Sequence, residues 1–173
     1  MDRLATLTDR IGQVCESHAD GRIDGPAFLE QCTRLVTSDI GCARTGIWKF
    51  VELAAGTRAL RCLAMYDAAS DRMVPVPDSH DVGAYFLALS HTGYVNACDA
   101  GSHFATAGPF AERLSARHIH SLLAASLAVN GKVLGALTCT EVDRKTEWSG
   151  RQVNAVRRTA GRIAVSLWAE HKA

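Results

Sequence analysis

No run of apolar residues in this chain approaches the roughly 20 that cross a bilayer. Its opening, MDRLATLTDR, lacks the basic end and apolar stretch of a signal peptide, so a cytoplasmic protein is expected. Neither sign of charge dominates: 19 Lys and Arg stand against 18 Asp and Glu, with no block of like charge. That balance argues against nucleic acid or an anionic membrane as the partner, since both select a basic patch. Arg151, Arg157, Arg158 and Arg162 cluster late in the chain and read as the solvated face of a helix. The six cysteines include no C-x-x-C pair, which excludes a four-cysteine zinc motif and favours buried, reduced thiols. Ser-x-x-Lys, Gly-x-Ser-x-Gly, Walker and Gly-x-Gly-x-x-Gly patterns are missing too, leaving a conventional hydrolase or nucleotide enzyme without motif support.

What is present is a regular alternation of elements in 173 residues, enough for one domain with a substantial core. Leu4, Leu7, Ile11 and Val14 recur at helical spacing, and so do Phe28, Leu29, Cys32, Leu35 and Val36 in a second helix that starts at Pro26 and ends at Gly41. The texture then turns to strand in CARTGIWKFV and RALRCLAMYD, joined through Gly56. Pro75 and Pro77 make SDRMVPVPD an irregular edge or loop. A short helix in DVGAYFLALSHTG, a strand in YVNACD and a helix in GPFAERLSARH follow.

Asn130-Gly131 between two apolar runs specifies a type I′ hairpin, because both central positions need a positive φ. Counting outward pairs Val129 with Lys132, Ala128 with Val133, Leu127 with Leu134, Ser126 with Gly135, Ala125 with Ala136, Ala124 with Leu137, Leu123 with Thr138 and Leu122 with Cys139. Neither face of that hairpin is polar, so both are expected to be covered. The last helix announces itself with a capping box, Ser149 and Gln152, and a hydrophobic staple from Trp148 to Val153. Its stripe of Val153, Val156, Ala160, Ile163 and Leu167 resembles that of the first helix. The two seams could pack together, and their leftover surfaces could pair in a homodimer.

In order and spacing, ARTGIWKFV after a helix, AYFLAL, YVNACDA with Asp99, PFAERLSARHI, the hairpin SLLAASLAVNGKVLGALTCTEV and EWSGRQVNAV resemble a GAF domain from about Gly41 to the end. The family is a sensory module of signalling proteins. The resemblance implies an α+β fold, α/β in the broad sense and close to PAS domains. A central antiparallel sheet would carry the N- and C-terminal helices on one face, with loops and short helices roofing a pocket on the other. Residues 1–40 would be N-terminal helices packed on a GAF domain of residues 41–173. The expected function is regulatory: a bacterial, cytoplasmic, non-catalytic domain binds an unidentified small molecule and signals through its terminal helices, a homodimer interface or a partner protein. Cyclic nucleotides, tetrapyrroles, amino acids and aromatic metabolites remain open as ligands, and no cofactor is named.

Trp48, Met65, Tyr85, Phe86 and Phe110 are the expected large walls of that pocket around the small residues Ala124, Ser126, Gly135 and Ala136; Asp99 and His103 are further candidates. Cys98, Asp99 and His103 also lie within six positions, a composition that suits zinc or a thiol nucleophile. On a strand, however, Cys98 and Asp99 point to opposite faces. His118 and His120, with His91 or His103, form a second possible metal or haem cluster. Relatives that carry bilin covalently place a Cys beside a His, and here no Cys directly precedes any His. Two alternatives stand beside the sensor. One is a thiol-based reductase of free methionine sulfoxide using Cys62, Cys98 and Cys139; the other is a ligand-free dimerisation module.

Overall fold

The structure is a computed structural model and describes residues 2–168. Two helices open it, α1 (Arg3–Ala19) and α2 (Gly25–Ile40). Asp2 caps α1 by accepting from Leu4 N at 3.1 Å, and Asp24 caps α2 by accepting from Ala27 N at 2.9 Å. Pro26 sits in the first turn of α2, where its missing N–H costs nothing. Gly41 closes α2 at φ 79°, the left-handed value that favours glycine there.

Strands β1 (Arg44–Glu52) and β2 (Arg58–Asp67) follow, then the two-residue β3 (Arg72–Met73), α3 (Gly83–Thr92), β4 (Tyr94–Ala97) and α4 (Pro109–Ala116). The hairpin strands β5 (Ile119–Val129) and β6 (Lys132–Val142) lead to α5 (Gly150–Trp168). All six strands form one antiparallel sheet in the order β3-β2-β1-β6-β5-β4. Beyond β3 the proline segment pairs only sparsely with β2, through Val74 N to Met65 O and a reciprocal bridge between Leu60 and Ser79. Pro75 and Pro77 have no N–H to give.

The sheet separates two apolar cores. On one face Leu7, Ile11, Phe28, Val36, Val156 and Ile163 from the three long helices meet Ile47, Leu123, Leu127, Leu137 and Cys139 of the strands, all fully buried. On the other, Tyr85 and Leu89 of α3 and Phe110 and Leu114 of α4 cover Trp48, Met65, Leu122, Ala124 and Ala136. Both faces of the hairpin are thus covered, as its composition requires.

The Asn130-Gly131 turn has the expected pair of positive φ values, 52° and 76°. The pairing that counts outward from it does not survive past Ala128–Val133. Leu134 is an extra residue on β6, so Leu127 faces Gly135, Ser126 faces Ala136, Ala125 faces Leu137, Ala124 faces Thr138, Leu123 faces Cys139 and Leu122 faces Thr140. One inserted residue exchanges the faces of everything beyond it. It sends Leu137 and Cys139 to the helical core and Ala136, Thr138 and Thr140 to the roof side. The bulge adjoins Gly135, where β6 runs so close to β1 that a Cβ would lie 1.9 Å from the carbonyl oxygen of Trp48.

The capping box at α5 forms as its sequence indicates: Ser149 Oγ accepts from Gln152 N at 3.1 Å and Gln152 Oε1 from Ser149 N at 2.8 Å. Trp148 and Val153 are both buried in the helical core, which is the staple. The late arginines do not form one basic face. Arg151 pairs with Asp2, Arg157 lies 4.7 Å over the Tyr94 ring, and Arg162 crosses Gly12 of α1.

Candidate functional site

Between the sheet and its roof lies a small, partly open cavity of about 40 Å³. Strand alternation builds its floor. Arg44 and Trp48 of β1, Thr138 and Thr140 of β6 and Leu122 of β5 all face it, with Leu60 and Met65 of β2 at one side. The roof is Tyr85 from α3, Phe110 and Leu114 from α4, and Val76 and Ser79 from the proline segment; Arg117 and Ile119 close the end where α4 leads into β5. Tyr85 and Phe110 rings pack at 5.1 Å between centroids.

Gly46 makes the floor possible. A Cβ there would meet Trp48 Nε1 at 2.5 Å, Met65 Cε at 2.8 Å and Thr138 Oγ1 at 2.9 Å. Its bare backbone lets the indole swing in and donate to Thr138 Oγ1 at 3.0 Å.

The polar groups are unevenly served. Arg44 Nε donates to Asp67 Oδ1 at 2.9 Å, and Asp67 Oδ2 also accepts from Ser70 N and Oγ. Burial would raise the Asp67 carboxyl, but these bonds from Arg44 and Ser70 hold it below its ordinary 3.8. A lowered carboxyl stabilises the fold above the unfolded value and loses that contribution as pH falls. Asp67→Asn is therefore expected to cost about 2 kcal/mol at pH 7, with the difference from the native protein shrinking as pH drops below about 4. Urea melts from pH 7 to 3 check it; a difference that stays constant with pH would contradict the assignment.

Tyr85 is fully buried and its hydroxyl has no hydrogen-bond partner among the described residues; Thr140 Oγ1, in a residue 3% exposed, has none among them either. Burial pushes the Tyr85 phenol far up, so it stays protonated and able to donate. Burial also lowers Arg117, with Arg44 and Arg113 nearby adding to the effect.

Four of the seven expected site residues, Trp48, Met65, Tyr85 and Phe110, are brought together here. Phe86 instead packs edge-on to Phe50 at 5.0 Å and under Arg58 at 4.0 Å, outside the cavity lining. Asp99 and His103 lie in the loop after β4. Asp99 Oδ1 accepts from Gly101 N at 3.1 Å, its Oδ2 pairs with Lys145 at 3.0 Å, and its carbonyl accepts from His103 N, an Asx-turn arrangement. His103 Nδ1 accepts from Ala105 N, and partial burial lowers its pKa. His118 is exposed and lies 3.4 Å from Asp143, while His120 and His91 are exposed elsewhere. No group of three His, Cys, Asp or Glu among the described residues could hold a metal.

Cys62 and Cys139, two of the three thiols of the reductase alternative, do not meet; Cys139 instead lies beside Cys42. Cys139 is buried in the helical core, whereas Cys62 packs against the roof-side core across the sheet, and burial raises it to about 11. A nucleophile and a resolving thiol need one face and a lowered pKa; this arrangement gives Cys62 and Cys139 neither.

Arg44, Arg117, Thr138 and Thr140 were not among the expected residues. Polar side chains at strand ends read as surface. Only the true hairpin register, one residue off the counted one, brings the two threonines under the roof.

No helix among the described residues is long and apolar enough to cross a membrane. No curated protein sequence matches the chain. Among solved structures, it is similar to a protein in its far-red-absorbing dark state with bound biliverdin IXα, at 12% identity and a TM-score of 0.74 over 95% of this chain and 99% of that one. It is also similar to the phycocyanobilin-bound GAF domain of a cyanobacterial phytochrome, at 14% identity and 0.70 over 98% of both chains. A third is the chromophore-binding domain of Stigmatella aurantiaca bacteriophytochrome, at 15% identity and 0.71 over 96% of this chain and 61% of that one. At these identities the likeness is one of fold. The GAF domain model itself matches residues 24–167, from the cap of α2 to the last turns of α5, and so the chain belongs to the GAF domain family.

Proposed function

We propose that this domain is a sensor: a small organic molecule binds between the sheet and its roof, and its binding shifts the helices on the far face. The observation that carries the reading is the roof-side cavity, with buried hydroxyls of Tyr85 and Thr140 left without partners among the described residues at its wall. Buried polar groups in native proteins are nearly always satisfied, and a bound ligand would satisfy these. Transmission needs only one strand thickness. Leu122 and Ala124 of β5 touch the roof core while Leu123, Ala125 and Leu127 of the same strand pack in the helical core with α5. A ligand acts by its different affinity for two arrangements of these elements.

The bilins of similar structures support a small-molecule role. A volume of about 40 Å³ favours a much smaller guest, since sites for larger ligands run to hundreds of Å³. Six free thiols suit a reducing setting such as the bacterial cytoplasm. Thermal melts across a metabolite set should find at least one compound that raises Tm with its concentration, as mass action requires. A flat response across the set would move the weight to a ligand-free interaction module.

A second copy of the chain is the partner we propose. The stripes that suggested pairing are used up inside the molecule, with Leu7, Ile11, Val156 and Ile163 all fully buried. What α1 and α5 offer outward is an open groove with Gly12, Ala19 and Gly161, Val165 55% exposed at its edge, and Glu16 beside Arg158 and Arg162. Charges of both signs on one patch are self-complementary under a two-fold axis. Light scattering should give a dimer mass that Val165→Asp reduces toward the monomer; a native monomer at high concentration would dismiss this interface.

A further inference from the structure

The donors around the cavity are one-sided in a way that specifies the ligand's chemistry. Arg44 and Arg117 lie at the same end of the sheet: Arg44 pairs with Thr140 on β6, Thr140 with Leu122 on β5, and Arg117 stands just before β5 begins. Between them the two guanidinium groups have one carboxylate, Asp67, which takes only Nε of Arg44. Arg117 has no carboxylate partner among the described residues, and its neighbour Arg113 is engaged by Asp81 at 3.2 Å. The hydroxyls of Tyr85 and Thr140 add two more donors, both buried and unpaired among the described residues. A guest meeting these guanidinium groups and hydroxyls binds best if it accepts hydrogen bonds at several points and carries negative charge. A carboxylate does so in the flat, two-oxygen form that arginine matches.

From this geometry we infer that the cavity is a receptor site for a short-chain carboxylate, its two oxygens held by Arg44, Arg117, Tyr85 and Thr140 and its alkyl end against Met65 and Leu122. The inference rests on the sensor reading above and narrows it. The size agrees: about 40 Å³ holds about three water-sized positions, hence a carboxyl group and a few carbons. Arg117, without a carboxylate of its own, feels the positive charges of Arg44 and Arg113, and an anion beside it offsets that repulsion. The unliganded site is thereby kept poised for its guest.

The test is an NMR titration of the ¹⁵N-labelled full chain with acetate, propionate and butyrate against the matching uncharged amides, with inorganic phosphate as a further probe. So few atoms can supply only modest affinity, so saturable shifts at millimolar concentrations are expected for the acids, centred on Arg44, Thr140 and the start of β5. The amides should give none. Arg117→Gln should weaken the acids at least tenfold while leaving the unliganded Tm unchanged or higher, because it removes repulsion. Thr140→Val, which removes a buried unpaired hydroxyl at constant shape, should show the same opposed pair of effects, and it keeps the test alive should the arginine variant fold poorly. Amides binding as well as acids would overturn the carboxylate assignment while leaving the cavity a ligand site. Phosphate binding in place of the acids would overturn it too. No saturable shift from any probe would also overturn it, and the broader metabolite melts then decide the sensor reading separately.

Discussion

Gly135→Ala is expected to destabilise the domain by about 3 kcal/mol or more, at or beyond the upper end for overpacked cores. The new methyl would sit 1.9 Å from Trp48 O and 3.0 Å from the carbon that bears it. Both are backbone atoms, so no rotamer change relieves the clash. β1 and β6 must part where Lys49 and Gly135 pair, and the bulge at Leu134 that sets the register of the whole hairpin goes with them. Gly161→Ala is the natural control. It lies in α5 with no atom of its own chain within 4 Å of a new Cβ, and in the monomer it should gain about 1 kcal/mol from helix propensity. Urea unfolding of the two variants should therefore move in opposite directions. A Gly135→Ala loss under about 1 kcal/mol would mean that the two strands are not this close.

Gly46→Ala comes second in size and acts on the site. Its methyl must displace the Trp48 indole, the Met65 methyl and the Thr138 hydroxyl, all within 2.9 Å. These are side-chain ends, so the fold can adjust, at an expected cost of about 1 to 3 kcal/mol. The adjustment is expected to consume the cavity: Met65, which lines it, can retreat into it, and the Trp48–Thr138 hydrogen bond is expected to break. Any ligand that raises the native Tm should lose at least tenfold in affinity, about 1.4 kcal/mol. Tryptophan fluorescence should shift as the indole loses its partner. A variant that folds, with its indole displaced, yet binds such a ligand unchanged would place the site elsewhere.

Much of this architecture can be read from local chemistry. Pro26 and Gly41 bracket α2, Ser149 and Gln152 open α5, and Asn130-Gly131 turns the hairpin, because each is satisfied within four residues of itself. Leu134 is different. Nothing in VLGAL distinguishes a bulge from a regular strand; the bulge answers to β1 lying against Gly135, a contact some ninety residues distant in sequence. Its omission exchanged the two faces of β6, and with them the residues that reach the site. The aromatic walls, Trp48, Tyr85 and Phe110, were legible because large apolar side chains in short elements must be buried somewhere. Arg44 and Arg117 were not, because an arginine at a strand end reads as exposed until Asp67, α3 and α4 close around it. Asp99 carried a signal of its own, and in the structure that signal is a turn held by Gly101 and Lys145.

The sensor role requires the roof-side cavity to be a place built for a guest. The most direct measurement is a high-resolution crystal structure of the protein as purified and again after soaking in propionate, with attention to the Tyr85 hydroxyl and Thr140 Oγ1. An ordered acceptor is expected within hydrogen-bonding distance of both groups and of Arg117, with Trp48 still bonded to Thr138. A structure in which Tyr85 donates to another protein group and side chains fill the space between Arg44 and Arg117 would contradict that role.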